Sequence, residues 1–135
     1  MMGIVKANAY GHGLIEVSNA LVQYGIEYLG VGFLEEGIQL RTAGITSPIV
    51  VLGGVLFDQV QKFLAFDLEI TVSSFELAQR INDEVMTSNG RKARVHLKID
   101  TGMERLGIHR EHAIDFVEKV ARLPKIEIEI GRAHV

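Results

Sequence analysis

Apolar residues along the chain fall into two patterns that take turns. Short blocks rich in Val, Ile and Leu recur at Met2–Val5, Tyr28–Phe33, Ile49–Gly53, Glu69–Val72, Ala93–Ile99 and Ile126–Ile130, and these predict strands. Between them apolar residues return with helical spacing, at Leu14, Val17, Leu21 and Val22, at Val60, Phe63 and Leu64, at Leu77, Ile81 and Val85, and at Ile114, Val117 and Val120. Each set makes one apolar helix face. Glu35–Thr42 is predicted as a further helix, weakened by Gly37. Ser73 followed by Glu76 has the spacing of a capping box, and Gly25 and Gly44 fall where left-handed C-caps would end helices.

Strands that are continuous apolar runs, alternating with helices, are the signature of a parallel sheet covered by helices. Right-handed crossovers leave two layouts, an open doubly wound sheet and a closed (β/α)8 barrel. A barrel needs eight strands and typically roughly 200 or more residues. About six strands are present, so a barrel would be incomplete. No repeat, linker or low-complexity tract divides the chain, which reads as one domain.

Composition narrows the chemistry. The 135 residues are 47% hydrophobic and 23% charged, with 14 Lys and Arg against 17 Asp and Glu. That balance can bury a core and carries no sign of disorder. Mild acidity without a basic run makes nucleic acid and anionic membrane unexpected partners. The absence of cysteine excludes disulfides, thiolate metal sites and a cysteine nucleophile. The longest apolar runs fall far short of a bilayer span and no signal peptide is recognised, so a cytoplasmic protein is expected.

The first unusual string is Lys6-Ala7-Asn8-Ala9-Tyr10-Gly11-His12-Gly13, directly after a predicted strand. Small residues alternate with functional ones, which lets the backbone approach a ligand closely and take dihedrals that larger residues resist. Lys6 would project from the C-terminal end of its strand, where both parallel layouts place ligands. A lysine there can act as an amine nucleophile or base; the alternative is a solvated charge closing a strand. His12 is expected to be a hydrogen-bonded structural histidine.

The second string is Val95-His96-Leu97-Lys98-Ile99-Asp100-Thr101-Gly102-Met103-Glu104-Arg105-Leu106-Gly107. Period two sets Val95, Leu97 and Ile99 against His96, Lys98 and Asp100. Three ionisable groups on one strand face either serve a site, if that face is buried, or mark an edge strand with a wet face. Arg105 follows in a glycine-bounded loop, its five-donor fork suited to a phenolate or carboxylate. Gly30-x-Gly32 lacks the third glycine of a dinucleotide fingerprint, and no phosphate-loop or serine-elbow motif occurs. Gly53-Gly54 reads as a tight turn, His109 and His112 as an exposed pair, and no metal site is predicted.

KANAYGHG at Lys6–Gly13 and HLKIDTGMERLG at His96–Gly107 resemble the two N-terminal signatures of alanine racemases, and VGFLEEGIQLR at Val31–Arg41 and SPIVVLG at Ser47–Gly53 resemble the strands and helices between them. The resemblance implies a partial (β/α)8 TIM-type barrel spanning residues 1–129. It implies pyridoxal 5′-phosphate as cofactor and alanine as substrate, with D-alanine supplied to peptidoglycan and a homodimer as the assembly. By matched position, Lys6 would form the Schiff base and serve as one base, and Tyr10 would help hold the phosphate. Lys98 would be the lysine that is often carbamylated. Arg105 would donate to the cofactor phenolic oxygen and lie near the substrate carboxylate. The second base, a tyrosine from a partner subunit, has no counterpart here. Alternatives on the same scaffold are a racemase of serine or a diamino acid and a non-catalytic pyridoxal-phosphate-binding barrel protein.

Glu104 departs from the motif, where a small or neutral residue is expected, and is read as facing away from Arg105. Before Lys6 a first helix and strand of the family are expected to be missing. Ile130–Val135 is also the direct translation of a common sequencing-library adapter, so residues 130–135 are expected to be a non-native tail and His134 is not mapped onto a family histidine. The 135 residues alone are expected to be inactive.

Overall fold

A computed structural model describes residues 1–134, with side chains through Glu129. The strands are β1 (Met2–Ile4), β2 (Tyr28–Val31), β3 (Ile49–Val51), β4 (Glu69–Val72), β5 (Ala93–Asp100), β6 (Ile108–His109) and β7 (Ile126–His134). Five right-handed helices cover them: α2 (Leu14–Gln23), α3 (Leu34–Thr42), α4 (Val60–Ala65), α5 (Phe75–Ser88) and α6 (Ala113–Ala121). A single turn, α1 (Lys6–Tyr10), links β1 to α2 and is left-handed. Every pairing is parallel, in the order β1-β2-β3-β4-β5, with β7 beside β5 and the two-residue β6 paired to Ile99 and Asp100.

Alternation sorts the strand residues onto two faces. Val5, Leu29, Val31, Ile49, Val51, Ile70, Val72, Val95 and Leu97 are buried in one cluster with Leu34, Leu40, Phe63, Ile81 and Val120 from the helices. Burying each such side chain contributes about 1.5–3 kcal/mol, so this sheet-to-helix layer holds the fold together. The other face carries Ile4, Tyr28, Gly30, Val50, Glu69, Thr71 and His96. The Tyr28 ring on β2 meets the His96 ring on β5 edge-on, with centroids 6.3 Å apart. Two strands lie between them in the sheet, so the contact requires a sheet curled around its inner face. The architecture is that of a parallel barrel wall, with β1 and β7 each paired on one side among the described residues.

The wet-edge alternative for β5 is overturned. His96 is fully buried in the curl, and its Nε2 lies 2.5 Å from Oε2 of the equally buried Glu69. Glu69 Oε1 lies 2.9 Å from Arg94 Nη1, and Arg94 reaches Asp67 at 3.2 Å. Hydrogen-bonding partners, among them the Arg94 guanidinium, replace the water that the buried Glu69 side chain loses. Burial, followed by the charge of Glu69, pushes the Tyr28 phenol above its usual range.

Two local expectations are corrected. The N-cap of α5 is Ser74, whose Oγ accepts from Leu77 N, one residue later than the Ser73 reading. Gly37 does not weaken α3 without reason: a Cβ there would sit 2.9 Å from Leu68 Cδ1, so glycine lets the helix pack closely. Gly25 and Gly44 take the positive φ expected just beyond α2 and α3. The backbone of β7 runs through most of Ile130–Val135, but the side chains of that segment lie outside the described residues, as does Val135 altogether.

Candidate active site

Lys6 leaves the C-terminal end of β1 and opens α1. Ala7, Asn8, Ala9 and Tyr10 all have φ between 52° and 55°, a left-handed turn built from L-residues. Such a conformation costs about 1–2 kcal/mol per residue through contact of Cβ with the carbonyl. Backbone bonds offset it: Ala9 N donates to Val5 O at 2.9 Å, Gly11 N to Ala7 O at 3.1 Å and Gly13 N to Asn8 O at 2.9 Å. Gly11 and Gly13 continue at φ 90° and 100°, where only glycine is at ease. The turn sets positions four apart on one side, and Lys6 and Tyr10 both face a single cavity.

That cavity, about 930 Å³, lies at the C-terminal ends of the strands. Lys6, Tyr10, Lys98 and Arg105 all line it, so every site residue expected from sequence converges there. Its wall is kept thin by two glycines. A Cβ on Gly53 would fall 2.3 Å from Gly32 O, and one on Gly32 would fall 3.1 Å from Glu36 Oε1. The Gly53 amide donates to Gly32 O at 3.1 Å, extending the pairing of β2 with β3 beyond the strand ends.

Glu36, Thr71 and Phe33 also line the cavity and were not singled out in the sequence. Glu36 Oε1 accepts from the amides of Gly32 and Phe33 at 2.9 and 3.0 Å, fixing the start of α3 beside the cavity. Its N-cap is Phe33 and not a Ser, Thr or Asp, so the capping pattern was invisible. Thr71 could have been found from period two, since it shares the inner face with Glu69; its hydroxyl donates to Val51 O at 2.7 Å.

Arg105 is carried on a loop anchored by Asp100. The Asp100 carboxylate accepts from Gly102 N at 2.9 Å and Glu104 N at 3.1 Å, and these bonds hold its pKa below the ordinary aspartate value. Glu104 has φ 53° and lines a separate cleft of about 250 Å³ with Asp100 and His109. Among the described residues it makes no ion pair with Arg105. His12 corrects the expectation: it is exposed, and its ring has no hydrogen bond among the described residues. His109 and His112 are exposed but share no helix face, lying in β6 and the short 3-10 turn after it.

A second cavity, about 980 Å³, opens at the opposite end near Phe63, Leu68, Arg94 and Lys125. It holds none of the predicted residues, and parallel β/α barrels place their sites at the C-terminal end. The first cavity is the candidate site.

A lysine, a tyrosine and an arginine around one C-terminal cavity give this parallel barrel wall a polar candidate site. The family model described as the alanine racemase N-terminal domain matches residues 1–134, and the chain belongs to that family. It is 43% identical over 129 residues to an alanine racemase of Geobacter sulfurreducens, an alignment covering 96% of this chain and 34% of that protein. The solved alanine racemase of Clostridium difficile 630 superposes with a TM-score of 0.93 at 39% identity, over 99% of this chain and 35% of that one. A histidine racemase from Leuconostoc mesenteroides superposes with a TM-score of 0.84 at 26% identity, over 98% of this chain and 37% of that one. The chain thus spans about a third of the length of the relatives it matches.

Proposed function

We propose that the chain is the lysine-bearing part of a pyridoxal 5′-phosphate-dependent racemase that interconverts L- and D-alanine. The observation that carries the proposal is the convergence of Lys6, Tyr10, Lys98 and Arg105 on one cavity. The donor set fits the cofactor: a primary amine for an aldehyde, a phenol for a phosphate oxygen and a guanidinium for a phenolate. The thin wall at Gly32 and Gly53 fits a flat ring.

When bound, pyridoxal phosphate withdraws electrons from the amino acid's α-carbon and makes its proton removable. The chain supplies placement and proton transfer. The Lys6 amine would hold the cofactor through its aldehyde carbon, and Lys6 Nζ would remove or return the substrate's α-proton on one face. Tyr10 Oη donates to the phosphate. Arg105 donates its fork to the phenolic oxygen and lies beside the substrate carboxylate. Addition of carbon dioxide to the Lys98 amine, with release of protons to solvent, would convert a cation into a carbamate anion that orients Arg105. The opposite face needs a second base, which we assign to a partner subunit of a homodimer. The proposed setting is the cytoplasm, with D-alanine destined for peptidoglycan.

The alternative substrate reading is supported by the histidine racemase, whose barrel superposes on nearly all of this chain. Contacts to the substrate side chain would then be the deciding element, and they belong to the rest of the protein. Alone, these 135 residues would be inactive, with β1 and β7 each paired on one side among the described residues and the second base assigned to a partner.

The test is to add pyridoxal phosphate to the purified chain, reduce with borohydride and map the labelled peptide by mass. Selective labelling at Lys6, lost in Arg105→Ala, is expected. Equal labelling of all lysines would overturn cofactor capture by this chain. Growth of a D-alanine auxotroph on the full-length gene, but not on its Lys6→Ala variant, separates an enzyme from a non-catalytic carrier.

A further inference from the structure

We infer that Asn8 is the positioning residue that sets Lys6 and Tyr10 on the cavity, an inference that rests on the proposed role of Lys6. Four consecutive L-residues at positive φ are held against steric preference, so hydrogen bonds must tie the turn down. Asn8 meets that need in three ways. Its carbonyl oxygen accepts from both Gly11 N at 3.1 Å and Gly13 N at 2.9 Å. Its side-chain Oδ1 accepts from Leu14 N at 2.9 Å. As an asparagine it also tolerates the left-handed region better than alanine does.

The Leu14 bond is the important one. Leu14 is the first residue of α2, where the amide has no helical partner, and the N-cap is Gly13, which has no side chain to offer. Asn8 therefore caps α2 from six residues upstream. Leu14 is buried in the core, so the bond ties the strained turn to the rigid sheet-to-helix layer. Asn8 does not line the cavity, whereas Ala7 and Tyr10 on either side of it do. Its effect on Lys6 and Tyr10 is therefore exerted through the backbone.

Three variants separate the contributions. Asn8→Ala removes the Oδ1 acceptor and raises the left-handed cost; Asn8→Gly removes Oδ1 and lowers that cost; Asn8→Asp keeps the acceptor, and all three retain the backbone carbonyl. Two readouts are taken on the full chain: hydrogen exchange at the Leu14 amide, with Ile70 and Val72 in β4 as internal controls for folding, and labelling of Lys6 by pyridoxal phosphate and borohydride. Asn8→Ala and Asn8→Gly are expected to speed Leu14 exchange about tenfold, as loss of one hydrogen bond implies, and to lower Lys6 labelling towards that of the other lysines. Asn8→Asp should retain both. Unchanged Leu14 exchange in Asn8→Ala would overturn the inference. So would faster exchange with Lys6 labelling intact, which would make Asn8 a cap on α2 and nothing more. If the wild-type chain shows no preference for Lys6, the proposed role of Lys6 falls, and Leu14 exchange alone decides whether Asn8 holds the turn.

Discussion

Replacing Arg41 should cost more stability than any other exchange of a partly exposed residue in this chain. From α3 its guanidinium reaches four carbonyls in two loops: Nη1 donates to Ile45 O and Ser47 O at 2.8 Å each, Nε to Phe66 O at 2.9 Å and Nη2 to Asp67 O at 2.8 Å. These loops lead into β3 and β4, whose far ends carry Gly53 and Thr71 to the cavity. Burial lowers the guanidinium pKa, yet an arginine stays charged, so all four bonds are charge-assisted. Hydrogen bonds to charged groups are worth about 1.5–3 kcal/mol each; with the released carbonyls partly rehydrated, Arg41→Met should cost about 3–5 kcal/mol. Arg41→Lys should recover part of this, because an ammonium cannot fork across two loops. Urea denaturation followed by circular dichroism measures it: with a slope of about 1–3 kcal/mol per molar, the midpoint should fall by about 2 M. A methionine variant within about 1 kcal/mol of wild type would refute the reasoning, because the four distances would then describe proximity without stabilisation.

Further outcomes follow from the interior and the site loop. Glu69→Ala should lower stability by about 3–5 kcal/mol by leaving the buried His96 without its partner and Arg94 with Asp67 alone, whereas the joint exchange Glu69→Leu and His96→Phe should recover much of the loss; thermal unfolding distinguishes them. Glu104→Gly should raise stability by about 0.5 kcal/mol by relieving the positive φ against a more flexible unfolded chain, and should leave pyridoxal phosphate labelling unchanged. A large gain in cofactor affinity would instead show that Glu104 engages Arg105. The depressed Asp100 pKa means that the unfolded chain binds the proton first, so its contribution is complete above about pH 4 and is lost as pH falls through the folded value. Hydrogen exchange at the Gly102 and Glu104 amides, relative to the intrinsic rate at each pH, should accelerate over that interval and not between about pH 5 and 8. Resequencing the source gene should replace Ile130–Val135 with other residues; a native stop directly after Val135 would refute the reading of that segment as a tail.

Where the chain's own periodicity ruled, the sequence was transparent. The β4 strand and the apolar faces of α2 and α5 could be read directly, because alternation and helical spacing are local properties; on α6 the expected face of Ile114, Val117 and Val120 is corrected, since Ile114 and Val117 are exposed and Phe116 joins Val120 in the core. Lys6, Tyr10, Lys98 and Arg105 could be named as candidates through the family resemblance and line one cavity, and periodicity alone left the barrel and the open sheet as equals. The burial of His96 was not legible because its partner Glu69 lies 27 residues away. Nor was the handedness of α1. The small residues announced a close approach, but four positive φ angles arise from the cap at Leu14 and the ties to Val5, which only the folded chain brings together.

Ala7 occupies backbone space that its mirror-image twin would fill at ease. A chain assembled chemically with D-alanine at that position would keep the turn and shed its steric penalty, while valine or isoleucine there would be shut out. Drift at this string is thus confined to a narrow set of residues by chirality, before any contact with a cofactor is counted.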